Sequence, residues 1–268
     1  MVPELPEVET IRRQLAPLLV GRSVREAWGH PSPKFAAASE IVGSSVTGVD
    51  RRGKYLLVNL EDGRQLVLHL GMTGRVAIVP LSSPIDEDPY VRAWWAFEDG
   101  EVLVFNDVRR FGRLAVVRSG EYQGIPTLAA MGPEPLSPGF DGRILWEFSR
   151  RSSQRIKTQL LSQRPVAGVG NIYADEALFR AGVNPAVRRL SRARAELLAD
   201  AIKDVLAAAV ERGGTTLRDY RSLEGIGGNQ FHLQCYGRGG LPCLRCGVIL
   251  RSRVIDGRTT TSCPSCQS

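Results

Sequence analysis

Lysine is scarce in this sequence, although the chain is strongly basic. Only four lysines (Lys34, Lys54, Lys157 and Lys203) contribute to a Lys+Arg total of 35, against 28 Asp and Glu, so arginine carries most of a net charge of +7. Such a balance favours a polyanionic partner such as nucleic acid. Because an arginine bias can also reflect genome composition, the charge alone does not identify that partner.

Long apolar runs are absent as well. No stretch approaches the length of a membrane span, and the first residues lack the basic and then apolar pattern of a signal peptide. The 268 residues are 43% hydrophobic and 24% charged, which is typical of a soluble globular chain with two domains, or two and a small appendage. We therefore expect no membrane association and a cytoplasmic location.

Cysteine is confined almost entirely to the carboxyl-terminal end. Cys243-Leu-Arg-Cys246 and Cys263-Pro-Ser-Cys266 are paired Cys-x-x-Cys knuckles, a pattern that suits tetrahedral thiolate coordination of one structural Zn²⁺. A redox pair is the alternative. Cys235 lies outside the pattern and reads as an ordinary thiol.

The first half of the sequence predicts one helix followed by strands. Apolar residues recur at helical spacing between Pro6 and Leu19, and Pro6, Glu7 and Gly21 suit the two ends of a helix. The apolar positions are Val8, Ile11, Leu15, Leu18 and Leu19. Seven short segments rich in β-branched and aromatic residues then predict strands at 22–28, 45–49, 54–60, 65–70, 91–97, 102–105 and 113–117. Strands without intervening helices imply an antiparallel β-sandwich or barrel.

The second half predicts a different architecture. Residues 131–138 carry three prolines and read as a linker, after which helical periodicity appears at 142–151, 157–162, 172–181 and 192–212. In the last of these, Leu197 belongs to the apolar face. From about residue 229 the chain reads as a cysteine-bearing hairpin with Asp256-Gly257 at its turn. We therefore predict an α+β multidomain protein with a catalytic domain at 1–130, a linker at 131–138, a helical domain at 139–228 and a zinc module at 229–268.

Several further motifs carry chemistry, each with a plainer alternative. Pro3 and Glu4 in front of the first helix are either the lead of an ordinary capped helix or a nucleophile beside a carboxylate. The turn Gly168-Val-Gly170-Asn171 opens a helix, where backbone N–H groups can bind phosphate, or it is a tight packing turn. Lys54 enters a strand and is either functional or simply solvated.

Two Gly-containing loops present bulky or cationic side chains. They are His69-Leu-Gly-Met72-Thr-Gly and Phe105-Asn-Asp-Val-Arg109-Arg110-Phe111-Gly112. Such side chains can fill the gap left by a displaced base. Core packing is the alternative for Met72 and Phe111, but it does not account for the arginine pair. Arg245, Arg251 and Arg253 beside the zinc knuckles suggest a nucleic-acid contact or a solvated basic hairpin.

Together these motifs, in this order along nearly the whole chain, closely resemble the bacterial formamidopyrimidine-DNA glycosylase family. The matching stretches are Pro3-Glu-Leu-Pro-Glu7, Arg-Arg-Gly-Lys54, the two loops above, Gly-Pro-Glu-Pro-Leu-Ser137, Gly168-Val-Gly-Asn-Ile-Tyr-Ala174, Tyr236-Gly-Arg238 and the four zinc cysteines. Leu5 and the Arg-Arg-Phe-Gly wedge distinguish the sequence from the endonuclease VIII branch.

The resemblance implies an amino-terminal β-sandwich with an amino-terminal helix, a helical domain with a helix–two-turn–helix, and a β-hairpin zinc finger, with DNA in a basic cleft. It implies catalytic roles for Pro3 as nucleophile, Glu4 and Lys54 as acid/base groups, and Arg258 as a phosphate ligand. It further implies DNA contacts, with Arg109 facing the orphaned base, from Met72, Tyr90, Arg109, Arg110, Phe111, Arg151 and Asn171. The region between Thr215 and Gln230 matches the part of the family that closes over the extruded base.

Three features depart from the family pattern. Val2 precedes Pro3, and an in-chain proline nitrogen is a tertiary amide that cannot form an iminium. We expect Val2 to be a GTG start codon, so that processing exposes Pro3. Tyr90 stands where the family usually has a histidine. Arg150, Arg151 and Arg155 replace the usual basic cluster, which leaves the phosphate ligand among them open.

We therefore predict a monomeric, nucleoid-associated DNA glycosylase with AP lyase activity, acting on duplex DNA that contains oxidised purines or abasic sites. A noncatalytic damaged-DNA-binding paralogue and an unrelated zinc-ribbon RNA-binding protein are the competing hypotheses.

Overall fold

The protein, as a computed structural model, is described over residues 3–216, 222–223 and 225–268 and divides into two units. The first unit contains Met1–Ala129 and Gly213–Gly228, and the second contains Ala130–Arg212 and Asn229–Ser268. The helical and zinc-bearing segments thus share one unit.

Residues 213–228 group with the first unit, whereas the sequence predicts them at the end of the helical domain. The physical reason is a pair of hydrogen bonds to the first helix. Thr215 N donates to Glu7 Oε1 at 2.7 Å, and Leu223 N donates to Gln14 Oε1 at 3.0 Å.

Helix α1 (Leu5–Leu19) opens the first unit. Glu4 is its N-cap and forms a capping box with Glu7, which satisfies backbone N–H groups that have no partner within the helix. Gly21 has φ of 87°, a left-handed conformation that ends the helix at little steric cost. Four of the five predicted apolar positions are buried, but Leu18, at the edge of the stripe, is 39% exposed.

The strands that follow α1 are β1 (Val24–Gly29), β2 (Val46–Arg52), β3 (Tyr55–Leu60), β4 (Arg64–His69), β5 (Gly74–Pro80), β6 (Val91–Phe97), β7 (Glu101–Asp107) and β8 (Arg113–Arg118). They form two four-stranded antiparallel sheets, in the strand orders β1-β6-β7-β5 and β2-β3-β4-β8. Buried side chains from α1 and from both sheets form one hydrophobic core. The predicted sandwich with an amino-terminal helix is therefore confirmed.

Strand β5 is the one strand of these two sheets that the sequence does not predict. It begins at Gly74 and ends at Pro80, two residue types that are depleted in strands. Because β5 lies at the edge of its sheet, the missing N–H of Pro80 breaks no ladder in the sheet interior.

Helices dominate the second unit. The short helix α2 (Pro126–Ala129) ends the first stretch of the first unit. The second unit contains the helices α3 (Gly142–Arg151), α4 (Ile156–Leu161), α5 (Asn171–Arg180) and α6 (Arg192–Glu211). It also contains a short 3-10 helix, Asn229–His232. Asp141 and Ser191 cap α3 and α6 through side-chain oxygens that accept from Ile144 N and Arg194 N. Leu197, expected on the apolar face of α6, is 57% exposed.

The zinc-bearing end forms the predicted hairpin, with β9 (Arg251–Ile255) antiparallel to β10 (Arg258–Ser262). Asp256 and Gly257 have φ of 46° and 78°, as a two-residue type I′ turn requires. Among the described residues, no helix combines the length and apolar character needed to cross a membrane.

Candidate active site and nucleic-acid interface

The start of α1 buries two of the predicted catalytic residues. Pro3 is buried, and Glu4 is 2% exposed. Glu4 N donates to Glu7 Oε2 at 2.8 Å, so the backbone that carries the Glu4 carboxylate is fixed. The amino-terminal end of a helix dipole favours a negative charge at this place.

Glu7 also anchors the segment that follows α6. It is fully buried, its second carboxylate oxygen accepts from Thr215 N, and a Cβ on Gly214 would lie 2.9 Å from that oxygen. The sequence predicts Glu7 only as a helix-start residue, although its three-residue spacing from Glu4 is the signal of a capping box. Of the segment expected to close over a base, residues 217–221 and 224 lie outside the described residues.

Gly53 and Lys54 form the tight turn between β2 and β3, and Gly53 has φ of 55°. Arg51 braces this turn, because its Nη1 donates to Gly53 O at 3.0 Å and its Nε donates to Glu9 Oε2 at 3.1 Å. Burial raises the pKa of Glu9, but hydrogen bonds and attraction from Arg12 and Arg51 outweigh it, and the pKa is lowered overall. Glu9 therefore links α1 to the turn that presents Lys54.

His69 ends β4 beside this turn and is held neutral. Burial is the main cause that lowers its pKa to about 4, and the nearby charges of Lys54 and Arg113 add to the effect. Its Nδ1 accepts from Gly71 N at 3.1 Å, and its ring lies 4.7 Å from that of Tyr55. An unprotonated Nδ1 is therefore part of the fold.

The residues predicted to fill the gap left by a displaced base lie on two loops of the first unit. Met72, between β4 and β5, is half-buried, whereas Arg109, Arg110 and Phe111, between β7 and β8, are exposed. The Arg109 guanidinium lies 4.8 Å from the Phe111 ring centre. Phe111 is 45% exposed, so core packing does not explain it. Tyr90, just before β6, is equally exposed at 45%.

In the second unit, Asn171 begins α5 behind the predicted Gly-x-Gly turn. Gly168 has φ of 79°, and Gly170 is the N-cap. Asn171 Nδ2 donates to Thr259 O at 3.2 Å. The side chain expected to hold phosphate therefore also holds strand β10.

A buried ion pair fixes the same strand. Lys157 Nζ lies 2.7 Å from Asp175 Oδ1, with both side chains 1% exposed, and it donates to Thr259 O and Thr260 Oγ1, each at 2.9 Å. Asp175 Oδ2 accepts from Thr261 N at 2.9 Å. Burial raises the pKa of Asp175 to about 6, although Lys157 acts in the opposite direction.

Arg258 is exposed at the start of the strand held in this way. The preceding turn is tied to α4, because Asp256 pairs with Arg155 and accepts from Thr158 Oγ1 at 2.6 Å. The Thr158 hydrogen bond and the Arg155 charge lower the pKa of Asp256. Arg155 is thus engaged in structure.

Of the other two arginines in that cluster, Arg150 stacks 5.1 Å from the Trp146 ring, whereas Arg151 is exposed at the end of α3. Arg151 remains the candidate of the three for a phosphate contact.

The four zinc-type cysteines converge. The Sγ atoms of Cys243, Cys246, Cys263 and Cys266 all lie within 4.8 Å of one another. Sulfurs that surround one Zn²⁺ at about 2.3 Å are about 3.8 Å apart, and the Cys246–Cys263 and Cys243–Cys266 separations are 3.6 and 4.0 Å. The cluster therefore fits one structural zinc ion, whose four thiolate ligands leave no position open for catalysis.

The zinc knuckles pack against α5. Arg245, which the sequence places near nucleic acid, donates to the carbonyl oxygens of Phe179 and Arg180 at 3.1 and 3.2 Å and lies over the Phe179 ring. Cys235 is buried, and burial together with Asp175 and Glu176 raises the pKa of its thiol. Cys235 therefore remains a thiol outside the metal site.

Comparison with known proteins agrees with this arrangement along the chain. Residues 2–114 match the formamidopyrimidine-DNA glycosylase N-terminal domain, 131–221 match the formamidopyrimidine-DNA glycosylase H2TH domain, and 240–268 match the zinc finger found in FPG and IleRS.

Whole-length relatives carry the same name. Formamidopyrimidine-DNA glycosylases of Thermus thermophilus and Deinococcus radiodurans are 46% and 44% identical over 99% of this chain, which is 98% and 97% of those proteins.

Solved structures are similar as well. The crystal structure of the MutM (Fpg) protein from Thermus thermophilus has a TM-score of 0.91 at 47% identity, covering 99% of this chain and 98% of that one. The Lactococcus lactis Fpg in complex with DNA containing an abasic site has a TM-score of 0.90 at 34% identity, covering 99% of both chains. The chain therefore belongs to the formamidopyrimidine-DNA glycosylase family of DNA-repair glycosylases, with a four-cysteine zinc finger.

Proposed function

We propose that this member of a DNA glycosylase family excises oxidised purines, such as 8-oxoguanine and formamidopyrimidines, from duplex DNA and then cuts the strand as an AP lyase. The observation that carries the proposal is the buried Pro3–Glu4 pair at the capped start of α1, in a chain related to the family over its whole length. Related structures hold DNA with an abasic site or a Fapy-dG lesion.

The first step is attack by an amine. A terminal α-amino group has a reference pKa near 8, so a useful fraction is neutral at pH 7. The nitrogen of an amino-terminal Pro3 attacks C1′ of the extruded nucleotide, and the C1′–base bond breaks. The base leaves with the bonding electron pair and takes a proton from water. The Glu4 carboxylate takes the proton that the Pro3 nitrogen loses on attack and then gives it to the ring oxygen as the C1′–O bond opens, which leaves an iminium between Pro3 and the sugar.

Strand cleavage follows from the iminium. Loss of a proton from C2′ expels the 3′ phosphate, loss of a further proton expels the 5′ phosphate, and water releases the sugar fragment from Pro3. Lys54 serves as an acid/base group and phosphate ligand in these eliminations, and Arg258 holds a phosphate of the damaged strand. Zinc takes no part in them, because its four thiolate ligands only hold the hairpin.

The remaining predicted residues contact the duplex. Met72, Arg109 and Phe111 fill the gap left by the extruded base, with Tyr90 and Arg110 beside them. Arg151 and Asn171 bind phosphate from the second unit. A protein that acts on genomic DNA works at the nucleoid, and we propose that it does so as a monomer.

Val2 favours one alternative, a noncatalytic damaged-DNA-binding paralogue. If Val2 remains in the mature chain, Pro3 is an amide and forms no iminium, while every DNA-contacting residue is retained. Such a protein binds abasic-site DNA without forming a covalent adduct.

The test is excision from an 8-oxoguanine duplex by protein that begins at Pro3. Glu4→Gln should lower single-turnover excision at least about 100-fold and leave duplex binding within about twofold. Glu98→Gln, an exposed glutamate in the same unit, is the matched control and should excise normally. Unchanged turnover in Glu4→Gln would remove Glu4 from the mechanism, and no excision by protein that begins at Pro3 and retains Glu4 would favour the paralogue.

A further inference from the structure

Asp107, at the end of β7, joins three segments of the proposed DNA-contacting surface. The residue is fully buried. Its backbone N donates to Tyr90 O at 2.9 Å, and its backbone O accepts from Arg92 Nε at 2.9 Å. Its carboxylate accepts from Thr73 Oγ1 at 2.5 Å through Oδ1 and from Gly112 N at 2.7 Å through Oδ2.

Thr73 extends this connection to the wedge itself. Since its hydroxyl hydrogen is given to Asp107, its oxygen acts as an acceptor, and Arg109 N donates to it at 3.0 Å. A hydroxyl has one donor hydrogen and two acceptor lone pairs, so both bonds form at once. The residue directly after Met72 thereby fixes the backbone of Arg109 on the other loop.

The two loops are also in direct backbone contact. A Cβ on Gly71 would lie 2.4 Å from Gly112 N, and a Cβ on Gly112 would lie 2.7 Å from the Phe105 ring and 3.0 Å from Asp107 Oδ2. No side chain fits at either glycine, so the loop that carries Met72 and the loop that carries Phe111 are packed together.

We propose that Thr73 and Asp107 are positioning residues that hold Met72, Tyr90 and the Arg109–Phe111 loop as one preorganised insertion element. Neither acts on DNA directly, because Asp107 is fully buried and the Thr73 hydroxyl is used within the protein. Preorganisation reduces the ordering cost of filling the gap left by an extruded base. The proposal rests on the proposed function, in which these loops enter the duplex.

Two activities separate this role from general stability. Excision of 8-oxoguanine requires a stacked, paired base to be displaced, whereas cleavage at a preformed abasic site does not. Thr73→Val removes the hydroxyl at nearly constant shape, and Thr73→Ser retains it. Thr127→Val is the control, because Thr127 also loses a side-chain hydrogen bond in the same unit, the one with Tyr55.

We expect Thr73→Val to lower kcat/KM for an 8-oxoguanine duplex about tenfold and to leave abasic-site cleavage within about twofold. Thr73→Ser should restore excision, and Thr127→Val should change neither activity. An equal fall of both activities, together with a lower melting temperature, would overturn the proposal, as would a Thr73→Val enzyme with unchanged excision.

A binding readout keeps this test distinct from that of the proposed function. With 2-aminopurine opposite an abasic site, the unmodified protein should raise the fluorescence by unstacking the orphaned base, and Thr73→Val should lose most of that rise at saturating protein. This signal needs no catalysis, so it is informative even if the chain excises nothing. An equal rise in both proteins, or no rise in either, would contradict the positioning role.

Discussion

The Lys157–Asp175 pair offers a sharp test of how the hairpin that carries Arg258 is held. Both side chains are 1% exposed, and Lys157 makes two further hydrogen bonds to β10. Removing one partner of a buried pair leaves the other charge uncompensated, which typically costs about 3–5 kcal/mol. We therefore expect Lys157→Met to lower the free energy of unfolding of the second unit by about that amount at pH 7.5.

The same reasoning sets the pH dependence. Burial raises the pKa of Asp175 to about 6, so the folded state holds the carboxyl proton more tightly than the unfolded state does. This proton therefore stabilises the folded state at low pH, and that stabilisation is lost as the pH rises from about 4 through 6. Without Lys157 the pKa rises further, so the loss continues to higher pH. The difference in stability between the two proteins should therefore be small at pH 5 and large at pH 8.

Zinc release reports on the second unit selectively. Denaturant titrations of the zinc-loaded unmodified protein and of zinc-loaded Lys157→Met, followed with a chromogenic chelator, give the free energy of unfolding of the second unit in each protein. Asp175→Asn in the Lys157→Met background should recover at least half of the loss, since an amide oxygen can still accept from Thr261 N. A loss below about 1 kcal/mol at pH 7.5, or a loss independent of pH, would refute the account of the pair.

Three other predictions follow from the site. His69→Gln should remove a loss of stability that the unmodified protein shows as pH falls from about 6.5 to 4, worth at most about 3 kcal/mol at 1.36 kcal/mol per pKa unit; parallel pH–stability curves would contradict the buried neutral imidazole. Removal of zinc by a chelator should weaken duplex binding while the circular dichroism of the sheets persists, and binding that survives full removal would exclude the hairpin from the interface. Arg258→Ala should lower the slope of log K against log salt by about one; an unchanged slope would exclude the phosphate contact.

Much of the fold was predictable because local signals agreed with it. The start of α1, the Asp256-Gly257 turn and the zinc knuckles each depend on residues within a few positions of one another. Strand β5 was not predictable, because its end residues, Gly74 and Pro80, are typical of loops and its pairing with β7 is non-local.

The supporting contacts of the site could not be predicted from the sequence, because they too are non-local. Thr73 and Asp107 are 34 residues apart, and neither residue type marks such a pair in advance. Arg245 and Arg155 look like nucleic-acid ligands by composition, yet partners on α5 and at Asp256 engage them. Only folded proximity distinguishes an arginine that holds structure from one, such as Arg151, that faces solvent.

The most direct test of the central claim is trapping of the covalent intermediate. Protein that begins at Pro3 would be incubated with an 8-oxoguanine duplex and borohydride, and intact mass and peptide mapping would locate any adduct. The proposed mechanism predicts a reduced DNA adduct on Pro3, formed at the rate of strand cleavage, and none on protein that retains Val2. Strand cleavage without a Pro3 adduct, or an adduct on Lys54 instead, would contradict it.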